Sequence, residues 1–301
     1  MMDTTAAQRG RHSMTDDLTS TLDAERPALR GLAYRMLGSL SDAEDAFVRW
    51  VRLTNEQRAS IENPGAWMMR VTSRICLDML GSARARRETY VGPWLPEPVP
   101  ALAEPPVSDP LERVTLDDSV SMALQVVLDT LTPAERVAFV LHDVFELPFA
   151  QIAETVGRSV EATRQLASSA RRKVRSRTEN AAPRERHDAV AAAFAAATGA
   201  GDFDALVALL DPDVALTSDG GGKVSAARRP VLGAVNVARF ILGVLTQRPD
   251  ARVDPIATAD GLGFIVSENA VVDTVMVLGV RADRVSDVWL VRNPDKLTSW
   301  R

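Results

Sequence analysis

The sequence predicts a multidomain chain: two all-α helical modules followed by an α+β domain. Three observations predict it. Apolar residues recur at spacings of three and four through most of the stretch from Leu18 to Arg177. Seven prolines in the nineteen residues 92–110 cut that helical stretch in two with an extended, semi-rigid strap. Beyond a polar hinge the runs GFIVSE (263–268), VVDTVMVLGV (271–280) and RVSDVWLVRN (284–293) are rich in β-branched residues and separated by short polar breaks.

Composition sets the bounds. A chain of 301 residues holds two or three domains with cores of their own. A net charge of −5 argues against a general nucleic-acid binder, so any basic patch has to be local. The lone Cys76 excludes an internal disulfide and a cysteine-rich metal site, and its apolar helical surroundings point to a core thiol. No apolar run reaches the roughly 20 residues of a membrane span, and the polar N-terminus carries no signal-peptide core, so a cytoplasmic location without membrane is expected. Residues 1–17 read as a disordered tail in which Met14 is a second candidate start.

The first module is expected over 18–91. Leu22, Leu29, Leu32, Ala33, Met36 and Leu37 share one helix face, which Gly38-Ser39 breaks. Ser41 is expected to cap the next helix, whose first turn carries Asp42, Glu44 and Asp45 in keeping with the helix dipole. That helix continues through Phe47, Arg49, Trp50, Val51 and Leu53. Asn63-Pro64 opens a third, with Trp67, Met68, Val71, Ile75 and Met79 as its core stripe. Arg70, Arg74, Arg84, Arg86 and Arg87 decorate the rest, a basic island that is either a solvated face or a DNA contact. In the strap of 92–110, Trp94 and Leu95 are out of place in a mere spacer, which suggests that they dock on a folded surface.

The second module is expected over 111–178. A helix is expected from Asp109 to Thr130, and Thr132 with Glu135 matches a capping box for the next. FAQIAETVGRSVEATRQLASSARRKVRSR (149–177) then reads as a helix-turn-helix. Ile152, Ala153 and Val156 face inward, Gly157 turns, and Ser159 caps the second helix. In that helix Thr163, Leu166, Ala167, Ala170 and Val174 form the packed stripe. Glu161, Arg164, Gln165, Ser168, Arg171 and Arg172 fall on other faces; Arg164 and Gln165 have donors suited to base edges, and Arg171, Arg172, Lys173, Arg175 and Arg177 suit phosphates. The stretch holds seven Lys/Arg against two Glu, which favours DNA over an ordinary solvated hairpin.

A hinge at 179–187 leads to the α+β domain, 188–301. An Ala-rich helix is expected from Asp188 to Leu210 with a break at 199–201, a strand at 214–218, a turn at 219–223 and a helix over 232–245. Eleven Lys/Arg against fourteen Asp/Glu between Asp188 and Arg301 exclude it as the DNA-binding part. Its only histidine is His187 at the edge, and Asp219, Asp254, Asp273 and Lys223 are acid-base candidates by type alone, so no catalysis is expected. Gly220 to Gly222 without a following GK[ST] read as a tight turn rather than a phosphate loop.

From Leu18 onward the chain resembles the extracytoplasmic-function sigma factors of bacterial RNA polymerase, and within them the group with a SnoaL-like, NTF2-like C-terminal extension. ALRGLAYRMLGSLSDAED (28–45) and NPGAWMMRVTSRICLDML (63–80) look like sigma region 2, and LTPAERVAFVLHDVFELPFAQIAETVG (131–157) with the following helix looks like region 4. WLPEP (94–98), DGGGK (219–223) and NPDKL (293–297) match three short motifs of the group, each in its own domain. The resemblance implies two helical sigma domains plus a cone-shaped α+β domain, with core RNA polymerase and promoter DNA as partners and no enzymatic activity. It implies that region 2 binds polymerase through Asp42, Glu44, Asp45 and Arg49, and the minus-10 element through Arg70, Arg74, Arg84, Arg86 and Arg87. Ser159, Glu161, Arg164, Gln165, Ser168, Arg171, Arg172 and Lys173 would serve the minus-35 element.

The resemblance also implies a built-in regulator. Trp94, Leu95 and Pro96 are expected to dock between the extension and region 2, near Asp219, Gly220, Lys223, Asn293, Pro294, Lys296 and Leu297. A small molecule in the C-terminal pocket is a further candidate partner, and no cofactor or metal is implied. One departure stands out: the family's V-Q-E-x-F-like stretch after DAED is absent, as if about one turn of helix, ~6 Å, were missing, which is expected to alter polymerase binding. The alternative reading is a one-component helix-turn-helix regulator whose NTF2-like domain senses a ligand.

Overall fold

The computed structural model describes residues 25–54, 64–100 and 121–300. The tail, Leu22, Asn63 and the start of the helix expected from Asp109 lie outside the described residues, as do the side chains of Trp50, Val51, Leu53, Arg84, Arg86 and Arg87. In chain order the helices are α1 (25–37), α2 (Leu40–Thr54), α3 (Pro64–Glu88), α4 (Met122–Asp129), α5 (Pro133–Phe139), α6 (Phe149–Val156), α7 (Val160–Thr178), α8 (Arg184–Ala200), α9 (Phe203–Leu209) and α10 (Ala234–Thr246). The strands are β1 (Leu210–Asp219), β2 (Val231–Leu232), β3 (Arg252–Thr258), β4 (Gly261–Glu268), β5 (Val271–Arg281) and β6 (Arg284–Val291). Among the described residues they divide into two compact units, one holding 25–54, 64–82 and 131–170, the other 83–100, 121–130 and 171–300.

In the first unit Leu29, Leu32, Met36 and Leu37 of the expected α1 stripe are buried, as are Met68, Ile75 and Met79 of the α3 stripe; Trp67 and Val71 are half-buried, and Cys76 is buried as well. The cap of α2 differs from the sequence reading. Helix starts at Leu40, and it is Ser39 Oγ, not Ser41, that accepts from Asp42 N at 3.2 Å; Ser41 already lies inside the first turn and is exposed. Thr132 and Glu135 form the expected capping box on α5. α5 continues into a π-helical turn, Val140–Val144. Two buried arginines link α1 and α5: Arg136 Nε donates to the Arg35 carbonyl at 3.1 Å.

The second unit is built on one six-stranded sheet of order β2-β1-β6-β5-β4-β3, with β1 parallel to β6 and every other pair antiparallel. Asn269 and Ala270 both take positive φ between β4 and β5, the backbone a tight two-residue hairpin turn requires. The α+β domain expected from the sequence is therefore present. Two strands were not legible: β2 is only two residues long, and β3 carries Pro255 and Asp254, which suit an edge strand and nothing more central.

Strand alternation gives the sheet two apolar faces. Leu216, Phe264, Met276, Leu278, Val288 and Leu290 share a core with Val190 and Phe194 of α8, Leu206 of α9, and Val237 and Ile241 of α10. The intervening residues Val275, Val277, Trp289 and Val291 face the other way, where Leu95, Met122 and Leu297 complete a second core.

Candidate functional site

The helix-turn-helix is assembled as its residues dictate. Gly157 ends α6 in the left-handed conformation, φ 68° and ψ 41°. Ser159 Oγ accepts from Ala162 N at 3.1 Å, and Thr163 Oγ1 donates to the Ser159 carbonyl at 2.9 Å. Ile152, Ala153, Thr163, Ala167 and Ala170 are buried. That leaves Ser159, Glu161, Arg164, Gln165, Ser168, Arg171, Arg172 and Lys173 exposed. Arg164 lies over the Phe149 ring at 5.7 Å. Arg70 and Arg74 are exposed on α3, and Arg70 pairs with Glu154 of α6 at 3.3 Å. On α2, Asp45 and Arg49 are exposed, while Glu44 meets Arg30 of α1 at 2.6 Å.

The second assembly is polar and buried, and it gathers the three short motifs of the sequence. Asp219, with no exposed surface, ends β1. Its Oδ2 accepts from Leu95 N at 2.9 Å and Lys296 Nζ at 2.7 Å; its Oδ1 accepts from Tyr90 Oη at 2.6 Å and Gly221 N at 3.0 Å. Lys296 Nζ also donates to the Leu95 carbonyl at 2.5 Å and sits 4.0 Å from the Trp94 ring centre. Leu95 is thus held through both its backbone groups while its side chain is buried in the second core with Leu297. A carboxylate with four donors, one of them a cation, meets what burial of charge demands.

The glycines next to Asp219 are needed there. Gly221 takes φ +62°, and a Cβ on it would run into the Asn293 amide. Asn293 Nδ2 in turn donates to Tyr90 Oη at 2.8 Å, and Lys223 Nζ pairs with Asp295 at 2.6 Å. Burial, and then the hydrogen bond to Asp219, push the Tyr90 hydroxyl above the ordinary phenol range. Pro96 is buried, Gly220 packs against the Val224 carbonyl, and Pro294 opens a 3-10 turn that carries Lys296.

Sequence reasoning missed four members of this surface. Tyr90 is one. Trp300 is another, its Nε1 donating to the Pro98 carbonyl at 2.9 Å. The others are Asp260 and the helix it holds: the Asp260 carboxylate accepts from Met122 N at 2.6 Å and Ala123 N at 3.0 Å, the free amides at the start of α4. α4 therefore lies on the second core through Met122, Ala123 and Val126. The acid-base candidates are committed elsewhere: Asp219 to the strap, Asp273 to Arg248, Asp254 to Arg252 at 2.8 Å, and Lys223 to Asp295. His187 is buried, not peripheral, with Nε2 2.9 Å from the Leu278 carbonyl.

Comparison with known proteins identifies the two helical modules. The family models for Sigma-70 region 2 and Sigma-70 region 4 match residues 22–86 and 121–174. The chain is 40% identical over 295 residues to the ECF RNA polymerase sigma factor SigJ of Mycobacterium tuberculosis, covering 93% of each chain. It is 35% identical over 298 residues to the probable ECF sigma factor SigI of the same species, covering 96% of this chain and 98% of the relative. The crystal structure of SigJ superposes with a TM-score of 0.73 at 37% identity, over 93% of this chain and 98% of that one. The chain belongs to the extracytoplasmic-function sigma factors of RNA polymerase. It is thus a non-enzymatic subunit that binds core polymerase and promoter DNA and directs transcription initiation. A one-component regulator would have no use for region 2, so that alternative falls. No described helix is long and apolar enough to cross a membrane.

Proposed function

We propose that the C-terminal domain regulates this sigma factor by fastening the strap between regions 2 and 4, together with α4, to its sheet. The observation that carries the reading is the buried Asp219–Lys296 pair closing on both backbone groups of Leu95. A tethered domain meets the strap at high effective concentration, so modest contacts hold a closed state that polymerase or a signal can open. Region 4, as matched, begins with α4, so the fastening reaches one of its helices as well as the strap.

On this reading Glu161, Arg164, Gln165 and Ser168 read minus-35 bases, with Ser159 capping their helix and Arg171, Arg172 and Lys173 on phosphates. Arg70, Arg74, Arg84, Arg86 and Arg87 serve the minus-10 strand, where captured bases need a basic surface. Asp42, Glu44, Asp45 and Arg49 face polymerase. The test is run-off transcription by core polymerase with full-length protein and with Lys296→Met. Output altered about fivefold or more, with core binding intact, supports the reading. Identical output, in a variant whose strap has become sensitive to protease, overturns it.

A further inference from the structure

The helical side of the sheet encloses a cavity of about 700 Å³, within the size range of small-molecule sites. Phe194, Phe240, Ile241, Phe264, Met276 and Leu290 supply its apolar wall. No part of the strap fastening lines it, and nothing in the sigma function accounts for it.

Its polar groups are few and unequal. Arg248 is fully committed, paired with Asp273 and with Glu268 at 3.0 Å. Arg292 is not matched in the same way. Its Nε donates to Thr274 Oγ1 at 3.2 Å, its Nη1 donates to the Ser225 carbonyl, and the nearest carboxylate oxygen, on Asp273, is 4.0 Å from Nη2. Asp273 is already engaged by Arg248. Burial, with Arg248 beside it, pulls the Arg292 guanidinium below its usual value, against the opposing charge of Asp273. A half-buried cation held mainly by neutral acceptors has donors left for an anionic group. Also on the cavity wall, Thr198 Oγ1 is buried without a hydrogen-bond partner, which is uncommon enough to need a reason.

We propose that this cavity binds an apolar molecule carrying a single carboxylate, the carboxylate on Arg292 and the apolar body against the Phe194–Phe264 wall. A dicarboxylate or a sugar would leave polar groups facing that wall unpaired. A purely apolar ligand would leave Arg292 as it stands and forgo the charge-assisted hydrogen bonds.

The test is calorimetric titration of the full-length protein with decanoate, with decanol as the uncharged match and butyrate as the short one, all below the aggregation limit. Decanoate is expected to bind at one saturable site, at least tenfold more tightly than decanol, and butyrate far more weakly. Arg292→Met should lower decanoate affinity tenfold or more and leave decanol unchanged. Ala195→Phe, which places a large ring in the cavity while leaving Arg292 in the sequence, should abolish binding of both while the thermal melt stays cooperative. Absent saturable decanoate binding, equal affinity for decanoate and decanol, or undiminished binding by a folded Ala195→Phe variant would overturn the proposal. If Arg292→Met does not fold, Ala195→Phe decides. Transcription is not read in this experiment, so its result is independent of whether the domain regulates initiation.

Discussion

Lys296 touches a carboxylate, a carbonyl and two aromatic rings, and almost no water. Lys296→Met keeps the length and apolar stem but leaves Asp219 as an uncompensated buried charge. Losing one partner of such a pair costs about 3–5 kcal/mol. Opening of the strap should then become roughly a hundredfold or more easier, read as faster hydrogen exchange at the Leu95 amide; an unchanged rate would show that the pair does not hold the strap. Cys76 gives a second expectation. Burial pushes its thiol from 9.0 up to about 12, with Arg136 opposing and Asp42 adding. The folded value is raised, so the stabilising contribution is complete below pH 9 and disappears as pH rises from 9.0 toward about 12. Below that window, labelling by a disulfide reagent should follow unfolding of the first unit; rapid labelling of the native protein would contradict the burial. The strap residues Trp94 and Leu95 were legible because large apolar groups in a proline strip are anomalous. Tyr90 and Asp260 were not, because their partners lie 129 and 138 residues away and no local pattern marks them.

At the scale of elements, the proposed reading gives α7 two kinds of contact. Arg164 and Gln165 sit in its first turns and Arg171, Arg172 and Lys173 further along. Arg164→Ala should relax discrimination at one minus-35 position by about 1–3 kcal/mol. Arg171→Ala should weaken all sequences alike and lower the salt slope by about one. Binding curves on single-base variants at several salt concentrations distinguish them, and the reverse pattern would reassign the helix. α2 carries the other expectation: inserting about one turn of helix after Asp45, where the family resemblance implies one is missing, should change affinity for core polymerase about tenfold, and equal affinity would show the shorter helix to be neutral. The long helices could be read from sequence by their apolar stripes, even where, as in α8 and α10, no side chain caps the N-terminus. The place of α4 could not. It reads as part of region 4, yet its docking depends on Asp260 and on a sheet face formed by strands more than a hundred residues later.

At the scale of the whole molecule, the two faces of one sheet carry the two proposed functions. Neighbours in sequence point to opposite sides. Ser218 lines the cavity and Asp219 holds the strap; Arg292 lines the cavity and Asn293 reaches Tyr90. Leu290 faces the cavity, while Trp289 and Val291 pack under Leu95 and Met122. Anything that braces or spreads β1 and β6 on one side is therefore felt one residue away on the other, with no need for a longer route. A ligand filling the cavity should steady these strands and favour the fastened strap. Saturating decanoate is expected to slow exchange at the Leu95 amide about fivefold or more, a coupling of ordinary size, and Ala195→Phe should remove that dependence on decanoate. Decanoate that binds yet leaves Leu95 exchange unchanged would mean that cavity and strap share a sheet without sharing a signal.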